Sequence, residues 1–182
     1  MTVDLSWLAR YRSSEPHFGL ERMEALLALR GNPHLACPVI HLAGTNGKGS
    51  TLAHLRSLLE AKELRVGVFT SPYLVSFNEQ ISIDGIPISD RDVETYLSLY
   101  QELLAKNSSD QTLRGLTEFE LMTVMAFDYF AAEKPDVVIM EVGMGGRLDS
   151  TNVCQPILTA ITTIGLDHVA LLGPDLASIA RE

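Results

Sequence analysis

The segment Val39-Ile40-His41-Leu42-Ala43-Gly44-Thr45-Asn46-Gly47-Lys48-Gly49-Ser50-Thr51 decides the fold predicted for this chain. An apolar strand runs into a turn of small residues, and the turn runs into the start of a helix. Such a turn lets backbone N–H groups converge on an anion, and the helix N-terminus adds positive potential. Lys48 is placed to neutralise β- and γ-phosphate charge, and a hydroxyl of Ser50 or Thr51 to reach Mg²⁺. The segment therefore predicts a nucleotide-phosphate loop.

The sequence of this loop departs from the common G-x-x-x-x-G-K-[ST] pattern. Gly49 stands between Lys48 and the hydroxyl residue, and the first glycine, Gly44, lies closer to the lysine than that pattern requires. The alternative interpretation is a glycine-rich strand-to-helix turn with an exposed lysine. Five small or turn-forming residues around one lysine favour the phosphate loop.

Composition restricts the class of protein. The chain has 182 residues, of which 46% are hydrophobic and 20% charged, enough for one globular domain with a core. Its formal charge of −9 argues against a surface for nucleic acid or anionic membranes. Cys37 and Cys154 form neither a C-x-x-C pair nor a disulfide framework, which fits a reducing compartment. Since neither a signal peptide nor a membrane span is evident, the sequence predicts a cytoplasmic protein.

The hydrophobic pattern predicts an α/β protein. Asp136 to Val142 and residues 157–164 are continuous in apolar and β-branched residues, as parallel strands covered on both faces are. The fold class predicted is a doubly wound, mostly parallel sheet, with N-terminal helices in residues 1–35 and the sheet in residues 36–182. We expect this domain to be incomplete, because a helix that begins after Asp175 has no capping signal before the chain stops. The predicted helices are 5–11, 20–30, 50–62, 90–105 and 118–133, the other strands are 39–43 and 66–70, and a hairpin spans 81–88.

Polar residues follow several of the predicted strands. In open α/β sheets, ligands bind beyond the carboxyl ends of the strands, so these residues are expected on one rim with the phosphate loop. Glu141 ends an apolar strand, and a carboxylate there is a suitable ligand for Mg²⁺ beside a phosphate loop. The alternative is a strand-end carboxylate in solvent. The role of His168 is left undecided by the sequence, because a single histidine after a strand is more often a structural residue than a ligand.

A glycine-rich turn over residues 143–152 directly follows Glu141. It can line a ligand pocket, or it can be a long turn in which Asp149 and Asn152 hydrogen-bond the backbone. The remaining histidines have no partner at helical i, i+4 spacing, so no zinc site is predicted. These histidines are His17, His34, His41 and His54.

Five spaced motifs occur in order along the chain, at residues 44–50, 70–74, 77–81, 141–152 and 166–168. Together they resemble folylpolyglutamate synthase/dihydrofolate synthase, a family grouped with the Mur ligases. The likeness runs from Phe18 to the last residue. Gly49, which departs from the general phosphate-loop pattern, is what the folate branch has at this position.

The resemblance implies an ATP-dependent ligase that joins L-glutamate to dihydropteroate or to a folate through an acyl phosphate. It implies that Ser71, Glu141 and His168 ligate Mg²⁺, and that Lys48, Glu141 and His168 are the catalytic groups. The residues implied in ATP binding are Gly44, Thr45, Asn46, Gly47, Lys48, Gly49, Ser50 and Thr51. Those implied in pterin binding are Glu15, Pro16, His17, Phe18, Tyr73, Thr117, Glu118, Phe119, Glu120, Leu148, Asp149 and Ser150.

The chain departs from the family pattern in two places. Tyr73 stands where many members have histidine or phenylalanine. The family also continues beyond Glu182 into a lysine that can be carbamylated, the rest of this domain and a second, glutamate-binding domain. We therefore expect the chain to hold the N-terminal part, to be inactive as a ligase by itself, and to belong to a monomeric longer form.

Other functions are compatible with parts of the pattern. A Mur-type ligase of cell-wall precursors would be favoured by threonine in place of Gly49, and residues 71–81 argue against it. A nucleotide-binding fragment without catalysis is a second alternative. A GTPase-like switch is disfavoured, because the sequence has no Asn-Lys-x-Asp motif to read guanine.

Overall fold

A six-stranded sheet forms the centre of the computed structural model, which describes residues 3–12 and 19–182. The strands are β1 Val39–Ala43, β2 Val66–Phe69, β3 Ile81–Ile83, β4 Ile86–Pro87, β5 Val137–Glu141 and β6 Pro156–Ile161. The helices are α1 Glu21–Leu29, α2 Lys48–Glu60, α3 Asp90–Lys106, α4 Glu118–Glu133, α5 Val169–Leu172 and α6 Leu176–Ile179. Single 3₁₀ turns lie at Leu8–Tyr11, Pro33–Leu35, Phe77–Gln80 and Ser150–Val153.

The strand order is β4-β3-β2-β5-β1-β6. Strands β2, β5, β1 and β6 are parallel, and the β3–β4 hairpin adds an antiparallel edge. This topology confirms the predicted mostly parallel α/β sheet. In the β1–β5 register Leu42 pairs with Glu141, so the phosphate loop after β1 and the acidic end of β5 emerge at the same edge.

Apolar side chains fill both faces of the sheet. Helices α1, α3 and α4 contribute to the larger core, and α2 covers the other face with Leu52, Leu55 and Leu59. Helix α4 matches its predicted bounds and is buried along most of its length. Its large side chains Met122, Met125, Phe127 and Phe130 belong to the core, as the sequence predicts.

The last strand does not match the prediction of a strand buried on both faces. It ends at Ile161 rather than at residue 164, and Ile157, Leu158 and Ile161 are 68%, 54% and 65% exposed. Strand β6 pairs with β1 on one side, and no other strand among the described residues pairs with it. The prediction was wrong because an apolar run indicates a strand that other elements can cover, and does not say which elements do so.

Several element boundaries also differ from the prediction. Helix α2 begins two residues early, at Lys48, because Gly47 at its N-cap adopts φ +83° and lets the chain turn into the helix at once. The predicted helix at residues 5–11 is only a 3₁₀ turn, Leu8–Tyr11. In the described part of the chain, every helix is too short or too polar to span a bilayer.

Candidate functional site

The phosphate loop has the backbone form that its sequence predicts. Gly44 has φ +134°, and a Cβ atom there would lie 2.1 Å from Thr162 Oγ1, so a side chain does not fit. The Nζ atom of Lys48 donates to the Gly44 carbonyl oxygen at 2.8 Å. Within the described residues, no side chain caps the first turn of α2. The N–H groups of that turn are therefore available to an anion at the positive end of the helix.

A second segment, the loop after β6, holds the phosphate loop in place. The backbone N–H of Thr45 donates to the Thr163 carbonyl at 2.7 Å, and Thr162 Oγ1 donates to the Asn46 carbonyl at 2.7 Å. The Thr45 hydroxyl lies within hydrogen-bond distance of both backbone groups of Gly165. This support was not predicted from the sequence. Its only signal was the pair of hydroxyl residues Thr162-Thr163 directly after an apolar strand.

Glu141 lies buried at the end of β5, where it is 5% exposed. Its Oε2 atom accepts a hydrogen bond from the hydroxyl of Thr70, the residue that follows β2. Burial raises the pKa of the Glu141 carboxyl, and the Thr70 hydrogen bond, the Lys48 charge and the Ser71 backbone N–H oppose that rise. Oxygen donors from two neighbouring strands thus meet beside the phosphate loop, and oxygen is the ligand type that Mg²⁺ prefers.

His168 lies in a neighbouring cleft. It follows β6 in the left-handed conformation, φ +48°, and its backbone N–H donates to Asp167 Oδ1 at 2.8 Å. The small cleft that it lines also contains Thr45 and Lys48. Across residues 3–12 and 19–182, no group of three or more His, Cys, Asp or Glu side chains is arranged to hold a metal. The structure therefore joins Glu141 to the Thr70-Ser71 segment and places His168 beside the lysine.

A cavity of ≈ 600 Å³ adjoins this cleft. The two share the wall made by Gly143, Met144 and Gly145. The residues of the pterin prediction that line the cavity are Tyr73, Thr117, Glu118, Phe119, Glu120, Leu148, Asp149 and Ser150, and Ser71 joins them. Glu15, Pro16, His17 and Phe18, also predicted to bind pterin, lie outside the described residues.

The first turn of α4, which forms part of the cavity wall, is held by several hydrogen bonds. Thr117 and Glu120 form a reciprocal capping box, in which Thr117 Oγ1 accepts from the Glu120 N–H and Glu120 Oε2 accepts from the Thr117 N–H. The other carboxylate oxygen of Glu120 accepts from Arg22 Nε at 2.9 Å, and both side chains are buried. The position of Phe119, which lies between Thr117 and Glu120 in the chain, is therefore fixed.

Several residues that line the cavity were not predicted. Arg12 Nε lies 2.7 Å from Glu118 Oε2 and forms an ion pair with it. Except for Gln80, which lies in the motif at residues 77–81, the unpredicted lining residues come from distant parts of the chain and lie outside the five motifs. They are Tyr11, Arg12, Gln80, Met122, Leu172 and Glu182.

The glycine-rich turn both lines the cavity and bonds to its own backbone. Asp149 Oδ2 accepts from the N–H groups of Gly143 and Met144 at 3.0 and 2.9 Å. Asn152 Nδ2 donates to the Arg147 carbonyl at 3.0 Å. The sequence left two interpretations of this segment open, a pocket lining and a turn bonded to its own backbone. The structure shows both features.

The known proteins that are similar to this chain in sequence are consistent with one another. No protein-family model matches the chain. It is 51% identical over 167 residues to the dihydrofolate synthase/folylpolyglutamate synthase of Bacillus subtilis, an alignment that covers 90% of this chain and 38% of that protein. The chain thus spans about two fifths of the length of this curated relative.

Solved structures give the same picture. A structure described as an FPGS–AMPPCP–folate complex superposes with a TM-score of 0.88 at 37% identity, covering 100% of this chain and 45% of the other. Escherichia coli FolC in complex with DHPP and ADP superposes with a TM-score of 0.85 at 37% identity, covering 98% and 41%.

Proposed function

The chain belongs to the folylpolyglutamate synthase/dihydrofolate synthase family, and on that premise we propose that it carries the ATP- and pteridine-binding part of a glutamate ligase. The observation that carries the proposal is the shared wall of the two sites. Gly143, Met144 and Gly145 separate the cleft of Lys48 from a cavity of ≈ 600 Å³. A substrate in the cavity thus lies next to a nucleotide held by the phosphate loop, which group transfer between them requires.

The proposed reaction joins L-glutamate to dihydropteroate or to a folate. A carboxylate oxygen of the pteridine substrate attacks the γ-phosphorus of ATP, ADP leaves, and an acyl phosphate forms. The amine of glutamate then attacks the acyl carbon, phosphate leaves, and the nitrogen loses a proton as the amide forms. Catalysis of this kind depends on alignment and charge neutralisation. The Bacillus subtilis relative is named dihydrofolate synthase/folylpolyglutamate synthase, which favours this reaction over the cell-wall alternative.

Lys48 is assigned to the phosphates in this proposal. Its Nζ atom now donates to the Gly44 carbonyl, which is part of the loop itself. On nucleotide binding the ammonium group would exchange that carbonyl for phosphate oxygens. The N–H groups at the start of α2 would hold the same phosphates.

Glu141 and Ser71 are assigned to Mg²⁺, with His168 contributing from the neighbouring cleft. The buried carboxylate of Glu141 lies beside the Thr70-Ser71 segment. The carboxylate and the hydroxyl groups of that segment offer oxygen atoms, which a hard cation prefers as ligands. When bound, the ion would neutralise phosphate charge. Gly44 to Thr51 form the proposed nucleotide site as a whole.

The cavity is assigned to the flat pteridine ring. Phe119 and Tyr73 supply aromatic surface, and Leu148 and Ser150 of the glycine-rich turn also line the cavity. A ring bound here can stack on an aromatic side chain and bond to backbone groups. The FPGS structure with folate and the E. coli structure with DHPP support a ligand of this class.

We extend the proposal to organisation and location. The N-terminal helices in residues 1–35 and the sheet in residues 36–182 would be segments of one domain, since Leu8, Met23 and Leu26 pack into the same core as α4. A cytoplasmic location is supported by the free thiols of Cys37 and Cys154. The full-length form would be monomeric and would take the glutamate in a portion outside the matched region.

Substitution of the loop lysine tests the nucleotide assignment. Lys48→Ala should lower the affinity for the non-hydrolysable analogue AMPPCP about 100-fold or more, because the phosphates lose a charge-assisted partner. Calorimetric titration measures the affinity. Lys62→Ala is the matched control, since Lys62 is an exposed lysine just beyond α2 and should leave binding unchanged. Unchanged affinity in Lys48→Ala would remove the lysine from the site.

A further inference from the structure

A chain of buried polar side chains runs from the centre of the sheet to the cavity wall. His41 lies on β1 and is 6% exposed. Its Nε2 atom lies 2.7 Å from Thr151 Oγ1, and that hydroxyl lies 2.5 Å from Asp149 Oδ1. Thr151 is 0% exposed and Asp149 is 7% exposed. None of the roles assigned above uses His41 or Thr151.

The hydrogen bonds of Asp149 indicate the direction of this chain. Its Oδ2 atom accepts from Gly143 and Met144, and its Oδ1 atom accepts from the Thr151 N–H at 2.9 Å and from the Thr151 hydroxyl. Four donors around one carboxyl group favour its ionised form, which only accepts hydrogen bonds. The single hydroxyl proton of Thr151 then points to Asp149, so the proton between Thr151 and His41 must come from His41 Nε2.

The same carboxylate fixes the glycine turn. Gly143 is wedged between two groups: a Cβ atom there would lie 2.6 Å from Phe119 Cζ and 3.2 Å from Asp149 Oδ2. The turn therefore contacts the aromatic ring that lines the cavity on one side, and is bonded to Asp149 on the other. Any movement of Asp149 would shift the turn and open or close the space against Phe119.

We propose that His41 is a positioning residue for the substrate cavity: its Nε2–H holds Thr151, Thr151 holds Asp149, and Asp149 holds the turn at residues 143–146 against Phe119. The inference rests on the proposed function for the identity of the ligand, a pteridine. The phosphate loop is held separately, by Thr162 and Thr163. Loss of the His41 chain should thus affect the pteridine more than the nucleotide.

Paired substitutions at Thr151 test the proposal. Thr151→Val removes the hydroxyl at nearly constant shape and should weaken dihydropteroate binding about tenfold, while AMPPCP affinity stays within about twofold. Thr151→Ser keeps the hydroxyl and should bind both ligands within about twofold of wild type. Ile40→Val is the control, because it trims the β1 neighbour that packs toward α2 on the other face. The proposal is overturned if the Thr151→Val variant binds dihydropteroate as tightly as wild type. It is also overturned if Ile40→Val loses as much affinity for dihydropteroate as Thr151→Val.

A spectroscopic measurement tests the network without any ligand. In ¹⁵N-labelled protein, the imidazole of His41 should give the pattern of the neutral Nε2–H tautomer, and this pattern should change in Thr151→Val. The Nδ1–H tautomer would overturn the inferred direction and with it the chain of contacts. Wild-type protein that binds no dihydropteroate overturns the proposed function and the ligand part of the inference, whereas the tautomer decides the network by itself.

Discussion

At the scale of single residues, the candidate site depends on polar groups that are buried and face partners from other elements. Glu141 of β5 meets Thr70 after β2, and His41 of β1 meets Thr151 in the glycine turn. Removing one partner of such a pair leaves the other without its hydrogen bond, which costs more than the bond contributes. Substitutions that retain shape are therefore the informative ones here.

Glu141→Gln should separate metal binding from fold support. The amide retains the size of the side chain and loses its charge, so affinity for AMPPCP with Mg²⁺ should fall about tenfold, and affinity without Mg²⁺ much less. Calorimetry under both conditions measures the difference. Glu94→Gln, an exposed position on α3, serves as the control. Equal losses in both conditions would mean that Glu141 supports the fold and not the ion.

Stability should depend on pH through His41. Burial lowers the pKa of His41 in the folded state, whereas the unfolded value lies near its ordinary level of about 6.5. Below that pH the unfolded chain takes up a proton that the folded protein does not, so stability falls as the pH decreases. His41→Gln should reduce this fall, measured by urea denaturation between about pH 7.5 and 5.5.

A control separates His41 from His34, a partly buried histidine whose pKa is also lowered. Burial also lowers the pKa of His34, so His34→Gln measures the share of that residue. Burial raises the pKa of the Glu141 and Asp149 carboxyls, and these groups act in the opposite direction. Because His41 is one of the groups that lower the Asp149 pKa, His41→Gln reports on His41 and Asp149 together. If stability depends on pH equally in wild type and in His41→Gln, the pKa of His41 does not differ between the folded and unfolded states.

At the scale of elements, local sequence signals account for what could be predicted. Helix α4 matches its predicted bounds because Thr117 and Glu120 form a capping box that the sequence spells out. The hairpin turn at Asp84-Gly85 and the entry into α2 at Gly47 likewise depend on local residues, which adopt positive φ.

Features made by distant residues could not be predicted from the sequence. The loop at Thr162 and Thr163 holds the phosphate loop because β6 pairs with β1 across more than a hundred residues. The contact of His41 with Thr151 depends on the same kind of long-range pairing. Arg12 and Leu172 reach the cavity from opposite ends of the chain. No local pattern encodes these distances.

The cap of α4 should contribute to both stability and binding. Thr117→Ala should cost about 1 kcal/mol of unfolding free energy by loss of the cap, and should also weaken dihydropteroate binding, because Thr117 lines the cavity. Ser89→Ala is the matched control: Ser89 caps α3 by accepting from the Asp92 N–H at 3.1 Å and lies outside the cavity lining. It should cost about as much stability, about 1 kcal/mol, with unchanged binding. Equal binding by both variants would contradict the role of Thr117.

At the scale of the whole molecule, strand β6 presents exposed apolar side chains at one edge of the sheet. Ile157, Leu158 and Ile161 are all more than half exposed, on a strand that carries no charged residue. Edge strands with apolar side chains and no charge tend to pair with other chains.

The isolated chain should therefore self-associate through β6. Sedimentation velocity should give a weight-average mass that rises with protein concentration, and Ile157→Lys should reduce that rise, because a charge on the edge disfavours pairing. Leu58→Lys is the control, since Leu58 is an equally exposed leucine on α2, 67% exposed. A wild-type chain that stays monomeric at all concentrations, or equal effects of both variants, would contradict the role of β6.

The central claim, that one chain holds adjoining nucleotide and pteridine sites, is tested most directly by calorimetric titration of the 182-residue protein. AMPPCP would be titrated with and without Mg²⁺, and dihydropteroate would follow. The account predicts nucleotide binding that Mg²⁺ strengthens, and then binding of dihydropteroate to the nucleotide-loaded protein. Folded protein that binds neither ligand would contradict it.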